Sequence, residues 1–290
     1  MLAKECKFAV DLCREALSRE SKLASVVVFG SAAKDGMAQR SLGVQMVHDI
    51  DLHIIARDRS WPRCVDWRNL IEGAQFVVSS CRPTVSGIDK WTICYSDLSL
   101  DVVVVPMAKA KLASIVVALG LHVRMAGVRK ALNEMATCLH GGFFFIKGQI
   151  EWGGFYRAVS ELPGVRLSNE DIVERANRAL CDYMWIMEKA VNGELLAASH
   201  AVHCRLLQTN LELWREMRLR RGLPLAAFGL GRKVEFLEDK TGLGAVTVSS
   251  LDSCSEVKLA AGSLLNGLVE LVSLNGVAWS LPEFYDAHTR

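Results

Sequence analysis

Asp49 and Asp51 stand two residues apart in the run His48-Asp49-Ile50-Asp51-Leu52, Asp101 sits at the start of Leu100-Asp101-Val102-Val103-Val104-Val105-Pro106, and Gly30-Ser31 closes Val26-Val27-Val28-Phe29. Side chains on a strand alternate between faces, so Asp49 and Asp51 share one side while Ile50 and Leu52 take the other. A neighbouring strand carrying Asp101 would complete three acids on one sheet surface. Carboxylates so close repel one another unless cations neutralise them. Hard divalent ions that bind carboxylate and phosphate oxygens answer that need, Mg²⁺ first and Mn²⁺ as its substitute. Two such ions roughly 3.5–4 Å apart stabilise both the attacking and the leaving oxygen of an in-line displacement. Gly30-Ser31 supplies the complementary half. A glycine after a strand lets backbone approach phosphate, a following helix start offers free N–H groups, and the Ser31 hydroxyl adds a donor. The segment is neither a Walker A loop nor a G-x-G-x-x-G turn, because no second glycine or Gly-Lys pair follows at the required spacing.

The elements that must position these residues are legible from pattern. An amphipathic helix is expected over 3–19, with Cys6, Phe8, Ala9, Leu12, Cys13 and Leu17 on one face. Residues 24–29 form a continuous β-branched run of the kind buried at a sheet centre. A second strand is expected over 49–56, and 90–96 with 100–105 read as a hairpin that Pro106 closes. A helical stretch over 107–138 precedes a short strand within 141–148. Beyond Glu151 the pattern is mostly helical: Ser168-Asn169-Glu170-Asp171 has the form of a capping box, Gly193 is placed to end that helix, and further helices are expected over 194–221 and 255–274. The expected architecture is α+β, a mixed sheet flanked by helices over 1–150 followed by a helical bundle over 151–290.

Composition narrows the class. Hydrophobic residues at 51% and charged residues at 23% of 290 describe a folded chain. No apolar stretch is expected to reach the ~18–20 residues of a membrane span, and Glu5, Asp11 and Glu15 interrupt any signal-peptide core, so a cytoplasmic protein is expected. Nine scattered cysteines without a C-x-x-C pair indicate neither a disulfide framework nor a zinc site. His200-x-x-His203-Cys204 lacks further ligands at suitable spacing. The aromatics Trp152, Phe155, Tyr156, Tyr183 and Trp185 are read as core. A net charge of +2 does not advertise nucleic-acid binding.

The ordered trio of strand–Gly-Ser, D-I-D-L within a strand, and a hairpin ending in LDVVVVP resembles the active-site signature of the nucleotidyltransferase superfamily related to DNA polymerase β, over about residues 24–106. Ordinary strand-end carboxylates would account for one of the three acids easily, and for all three in this order poorly. The resemblance implies a nucleotidyltransferase-type sheet whose helical C-terminal part closes the cleft. It implies that Asp49 and Asp51 hold two Mg²⁺ ions, that Asp101 is the third ligand and general base, and that Gly30 and Ser31 bind the nucleotide. The implied substrates are an NTP, ATP foremost, and an acceptor hydroxyl or amine that attacks the α-phosphorus. Two departures stand out. Asp49 lies 18 residues beyond Ser31, a long step for the family, and His48 occupies a position where relatives often carry serine.

Acceptor identity is less legible. Arg215, within ELWREMRLRR, and Lys233, within GRKVEFL, loosely resemble the basic segment of small-molecule nucleotidyltransferases and could neutralise triphosphate charge. A basic helix C-terminus complementing its dipole is an equal reading. A small-molecule acceptor, as in antibiotic-modifying enzymes, comes first. The alternatives are transfer to RNA such as a tRNA 3′ end, nucleotide second-messenger synthesis, and an NTP-binding or structural partner without turnover. Nothing in the sequence indicates the oligomeric state.

Overall fold

Strands buried on both faces need apolar side chains at every position rather than at alternate ones, and Leu23–Phe29 meets that demand: all its residues but the last are buried. It is β1 of a six-stranded sheet in a computed structural model of the chain, which describes residues 4–33, 48–84, 87–223, 241–243, 251 and 253–281. The other strands are β2 (His48–Ala56), β3 (Phe76–Pro83), β4 (Asp89–Tyr95), β5 (Leu98–Pro106) and β6 (Phe143–Lys147), in the spatial order β3-β4-β5-β2-β1-β6. β2 and β5 pair in parallel, and every other neighbouring pair is antiparallel. β4 and β5 form the expected hairpin. β3, at the sheet edge and largely exposed, has no counterpart among the expected strands.

One face of the sheet carries Val26, Val28, Ile50, Leu52, Ile54, Leu100, Val102 and Val104. Helix α1 (Lys4–Ser18) covers it with Ala9, Val10, Cys13 and Leu17. Phe8, expected on that apolar face, is instead 66% exposed, because the buried stripe follows residues 9, 10, 13 and 17. Trp61, on the short helix α2 (Trp61–Cys64), and Trp67 complete this layer; Trp67 Nε1 donates to the Pro62 carbonyl at 3.0 Å, and Tyr95 donates its hydroxyl to the Trp67 carbonyl at 2.6 Å. The opposite face packs against α3 (Met107–Ala118), α4 (Ala126–Leu139) and α5 (Gln149–Ser160) through Val27, Ile55, Val105, Leu132, Trp152 and Tyr156.

The chain divides into two compact units between Val165 and Arg166, not near residue 150. The physical reason lies in α5. Its buried Trp152, Phe155, Tyr156 and Val159 belong to the sheet's own core, so the helix stays with the first unit.

The second unit is helical. Helix α6 (Asn169–Val191) starts with the expected capping box: Ser168 Oγ accepts from Asp171 N at 3.0 Å, and Asp171 Oδ2 accepts from Ser168 N at 2.9 Å. The helix expected over 194–221 is α7 (Leu195–Ala201) and α8 (Gln208–Arg220) joined by one π-helical segment, Val202–Leu207. Helix α9 (Cys254–Leu274) carries a second capping box, Ser253 with Glu256. Contrary to the expectation from sequence, α9 is long and apolar enough by length and composition to cross a membrane. Its Val257, Ala261, Leu264, Leu265, Leu268 and Leu271 are core residues of this unit, packed with Ile172, Ile186, Leu213 and Met217. Leu259, by contrast, is 77% exposed.

Candidate active site

The register of four strands arranges the candidate residues in rows across one sheet face. Asp51 of β2 lies opposite Asp101 of β5 in the parallel ladder, and Asp49 lies opposite Ser99. Phe29 of β1 flanks Asp51 on one side, and Thr92 of β4 flanks Asp101 on the other. The row is therefore Phe29–Asp51–Asp101–Thr92, with strands roughly 4.8 Å apart. The row beneath it reads Val27–His53–Val103–Lys90. Alternation places Asp49, Asp51 and Asp101 on the α3–α5 side, opposite buried Ile50, Leu52 and Leu100, as the D-x-D spacing predicts.

Asp101 is closely held. Thr92 donates its hydroxyl to Asp101 Oδ1 at 2.6 Å, and Lys90 Nζ pairs with Oδ2 at 2.5 Å, with both side chains of that ion pair mostly shielded from solvent. Lys90 escaped sequence reasoning because it stands eleven positions before Asp101 and only the β4–β5 register joins them. Among the described residues, no group of three His, Cys, Asp or Glu side chains is gathered so as to hold a metal ion. The expected three-acid metal cluster is thus not assembled here. The three acids share a face, and Asp51 and Asp101 share a register, while the Asp101 carboxylate is turned to Lys90 and Thr92.

Gly30 begins a 3₁₀ turn, Gly30–Ala32, at the end of β1, with φ of +72°. A Cβ at this position would lie 2.5 Å from Asp51 Oδ2. Glycine is required twice over, by the left-handed backbone and by the closeness of the carboxylate. The backbone of Ser31 lies in that turn, and its side chain is outside the described part of the chain. The same holds for the His48 side chain, whose backbone pairs with Leu98, and for the whole of Lys233 and of the long step over 34–47.

His53 continues the Asp49–Asp51 face. Its Nδ1 shares a 2.5 Å hydrogen bond with the Tyr156 hydroxyl of α5, and the rings meet edge to face. Burial lowers the His53 pKa to about 4, so the imidazole is neutral at physiological pH, and burial raises that of Tyr156. On α4, Cys138 has its thiol pushed up to about 11, first by burial and then by the negative charge of Asp51.

Arg215 lies on α8 in the second unit. Burial pushes its guanidinium below the usual range, Glu216 opposes that shift, and Arg166 adds to it. The neighbouring charges form a structural knot. Glu216, 1% exposed, accepts from Arg166 Nε at 3.0 Å and Nη2 at 2.9 Å, from Arg220 Nε at 3.1 Å and from Leu167 N at 3.1 Å. His200 and Cys204 meet at 3.6 Å one helical turn apart.

No protein-family model and no characterised protein matches this sequence. Among solved structures, an aminoglycoside 6-adenyltransferase from Bacillus subtilis is similar over 99% of this chain and 97% of its own length, at 12% identity and a TM-score of 0.38. A nucleotidyltransferase-like protein from Exiguobacterium sibiricum 255-15 is similar over 93% of this chain and 77% of its own, at 12% identity and a TM-score of 0.34.

Proposed function

We propose that this chain is a metal-dependent nucleotidyltransferase, moving a nucleoside monophosphate from an NTP, ATP foremost, to a hydroxyl or amine of a small molecule. One observation carries the reading: Asp51 and Asp101 are register partners on adjacent parallel strands, Asp49 lies on the same face, and the Gly30 turn closes directly on Asp51.

The donor chemistry suits Mg²⁺, since carboxylate oxygens are its preferred protein ligands. Asp49 and Asp51 would hold it, with Asp101, held in place by Lys90 and Thr92, as the third ligand that the resemblance implies. When bound, the ion supplies positive charge to the phosphate oxygens as negative charge accumulates there. The chain's own groups do the rest. The Gly30 turn admits the triphosphate close to backbone N–H groups. Asp101 accepts the proton of the acceptor hydroxyl, whose oxygen bonds to the α-phosphorus as the bond to the β-phosphate's bridging oxygen breaks and pyrophosphate departs. Lys90 supplies a fixed cation beside that proton acceptor.

The test combines Mg²⁺, the four α-labelled NTPs and a panel of small hydroxyl compounds, with total tRNA in parallel. Label on a small molecule with equimolar pyrophosphate is expected, and Asp101→Asn should abolish transfer while NTP still binds. Full transfer by that variant, or label found solely on tRNA, would refute the proposal.

A further inference from the structure

A cavity of about 450 Å³ lies within the first unit, between the sheet and helices α3 and α4, on the sheet face that carries the candidate acids but with none of them in its lining. Its sheet wall includes Phe29, His53 and Val103. Phe29 is the strand partner of Asp51, while His53 and Val103 each follow a candidate acid by two residues on the same face, a step of roughly 7 Å. On the opposite wall Cys138 lines the same space and feels the charges of both Asp51 and Lys90. The cavity's sheet wall therefore borders the candidate acids on the same face.

Its chemistry is selective. The volume falls within the ~300–1,000 Å³ range of small-molecule pockets. Among the described residues, the lining is dominated by aliphatic and aromatic side chains, and its charged members are Lys109 and Glu134. A polycationic amino sugar seated in the cavity needs several carboxylates around its body to replace its lost hydration, and the described lining offers Glu134 alone, together with the like-charged Lys109. An uncharged apolar body leaves no such debt. His53, with Nδ1 engaged by Tyr156, brings one polar edge to the wall for orientation.

Resting on the nucleotidyl-transfer reading, we infer that this cavity seats the acceptor, and that the acceptor is an uncharged, largely apolar molecule whose hydroxyl reaches up to Asp101. The apolar body fixes position, and the hydroxyl at its end is presented to the carboxylate row.

The cavity can be tested apart from catalysis. N-phenyl-1-naphthylamine, a neutral apolar fluorophore, should bind the whole protein in a one-to-one ratio and be displaced by 2-naphthaleneethanol but not by kanamycin. Ala113→Phe on α3 and Ala131→Phe on α4 fill the space from separate helices, and both positions are half-buried, so the two folds are compromised independently if at all. Each should weaken probe binding at least about tenfold and raise the KM for 2-naphthaleneethanol in the label-transfer assay, with the KM for NTP unchanged. Displacement or labelling of kanamycin, or probe binding indifferent to both folded variants, would overturn the inference. Cavity-dependent probe binding with no nucleotidyl transfer to any acceptor would keep the apolar site and reject the reaction assigned to it.

Discussion

Replacing Gly30 with alanine separates the backbone demand of the Gly30 turn from its chemical role. At φ of +72° an L-residue adopts a left-handed conformation, which costs about 1–2 kcal/mol. The new Cβ would also sit 2.5 Å from Asp51 Oδ2, about 1 Å inside ordinary contact. The atom in its way is the end of a side chain, so Asp51 yields more cheaply than the backbone does. Stability should therefore fall by about the backbone cost alone, about 1–2 kcal/mol. Activity takes the displacement: a misplacement near 1 Å costs on the order of 10²-fold in rate. Gly73 provides the control, with φ of +76° and nothing within 4 Å of where a Cβ would sit. Gly73→Ala should lose similar stability and keep full activity. Urea unfolding gives the first quantity, and label transfer at saturating NTP gives the second. Wild-type turnover in Gly30→Ala, or an equal loss of turnover in Gly73→Ala, would show that the turn does not position Asp51 for chemistry.

Other perturbations follow from the same geometry. Glu216→Ala removes the buried acceptor shared by Arg166 and Arg220, whose partly exposed guanidinium groups water can still reach, and should destabilise the second unit by about 1–3 kcal/mol, measured by urea unfolding. His53, held down to about 4 against 6.5 in the unfolded chain, binds its proton more tightly once unfolded; stability is complete above pH 6.5 and falls as pH drops towards 4, by up to about 3 kcal/mol. In His53→Gln, which keeps a partner for Tyr156, that portion of the pH dependence should vanish from unfolding curves taken at stepped pH. The thiols of Cys13, pushed up to about 12, and Cys138, pushed up to about 11, should alkylate far more slowly at pH 8 than exposed Cys64, Cys181 and Cys204, as read by peptide mass mapping. Rapid labelling of Cys138 would place it outside the buried wall.

How much of this was legible depended on whether a residue's environment was local. β1 and β2 announce themselves because burial on both faces demands the unbroken runs Val26–Val28 and Ile54–Ile55, and β5 through the β-branched run Val102–Val105, buried except for half-buried Val103. The shared face of Asp49 and Asp51 follows from strand alternation alone. β3 does not announce itself: an exposed edge strand can carry Ser79, Ser80, Arg82 and Pro83 with no apolar alternation. The pairing of Lys90 with Asp101 depends on the register of one hairpin, and that of His53 with Tyr156 on helix packing over a long chain separation, neither of which periodicity encodes. The unit boundary was misplaced for a related reason, since the apolar stripe of α5 looks the same whether it packs on a sheet or on other helices.

The most direct measurement compares transfer from α-labelled and γ-labelled ATP with Mg²⁺, in the wild-type chain and in Asp51→Asn. Nucleotidyl transfer leaves the α-label alone on the acceptor and releases the γ-label as pyrophosphate, and Asp51→Asn should do neither while remaining folded. An acceptor carrying the γ-label, or undiminished α-transfer by Asp51→Asn, would contradict it.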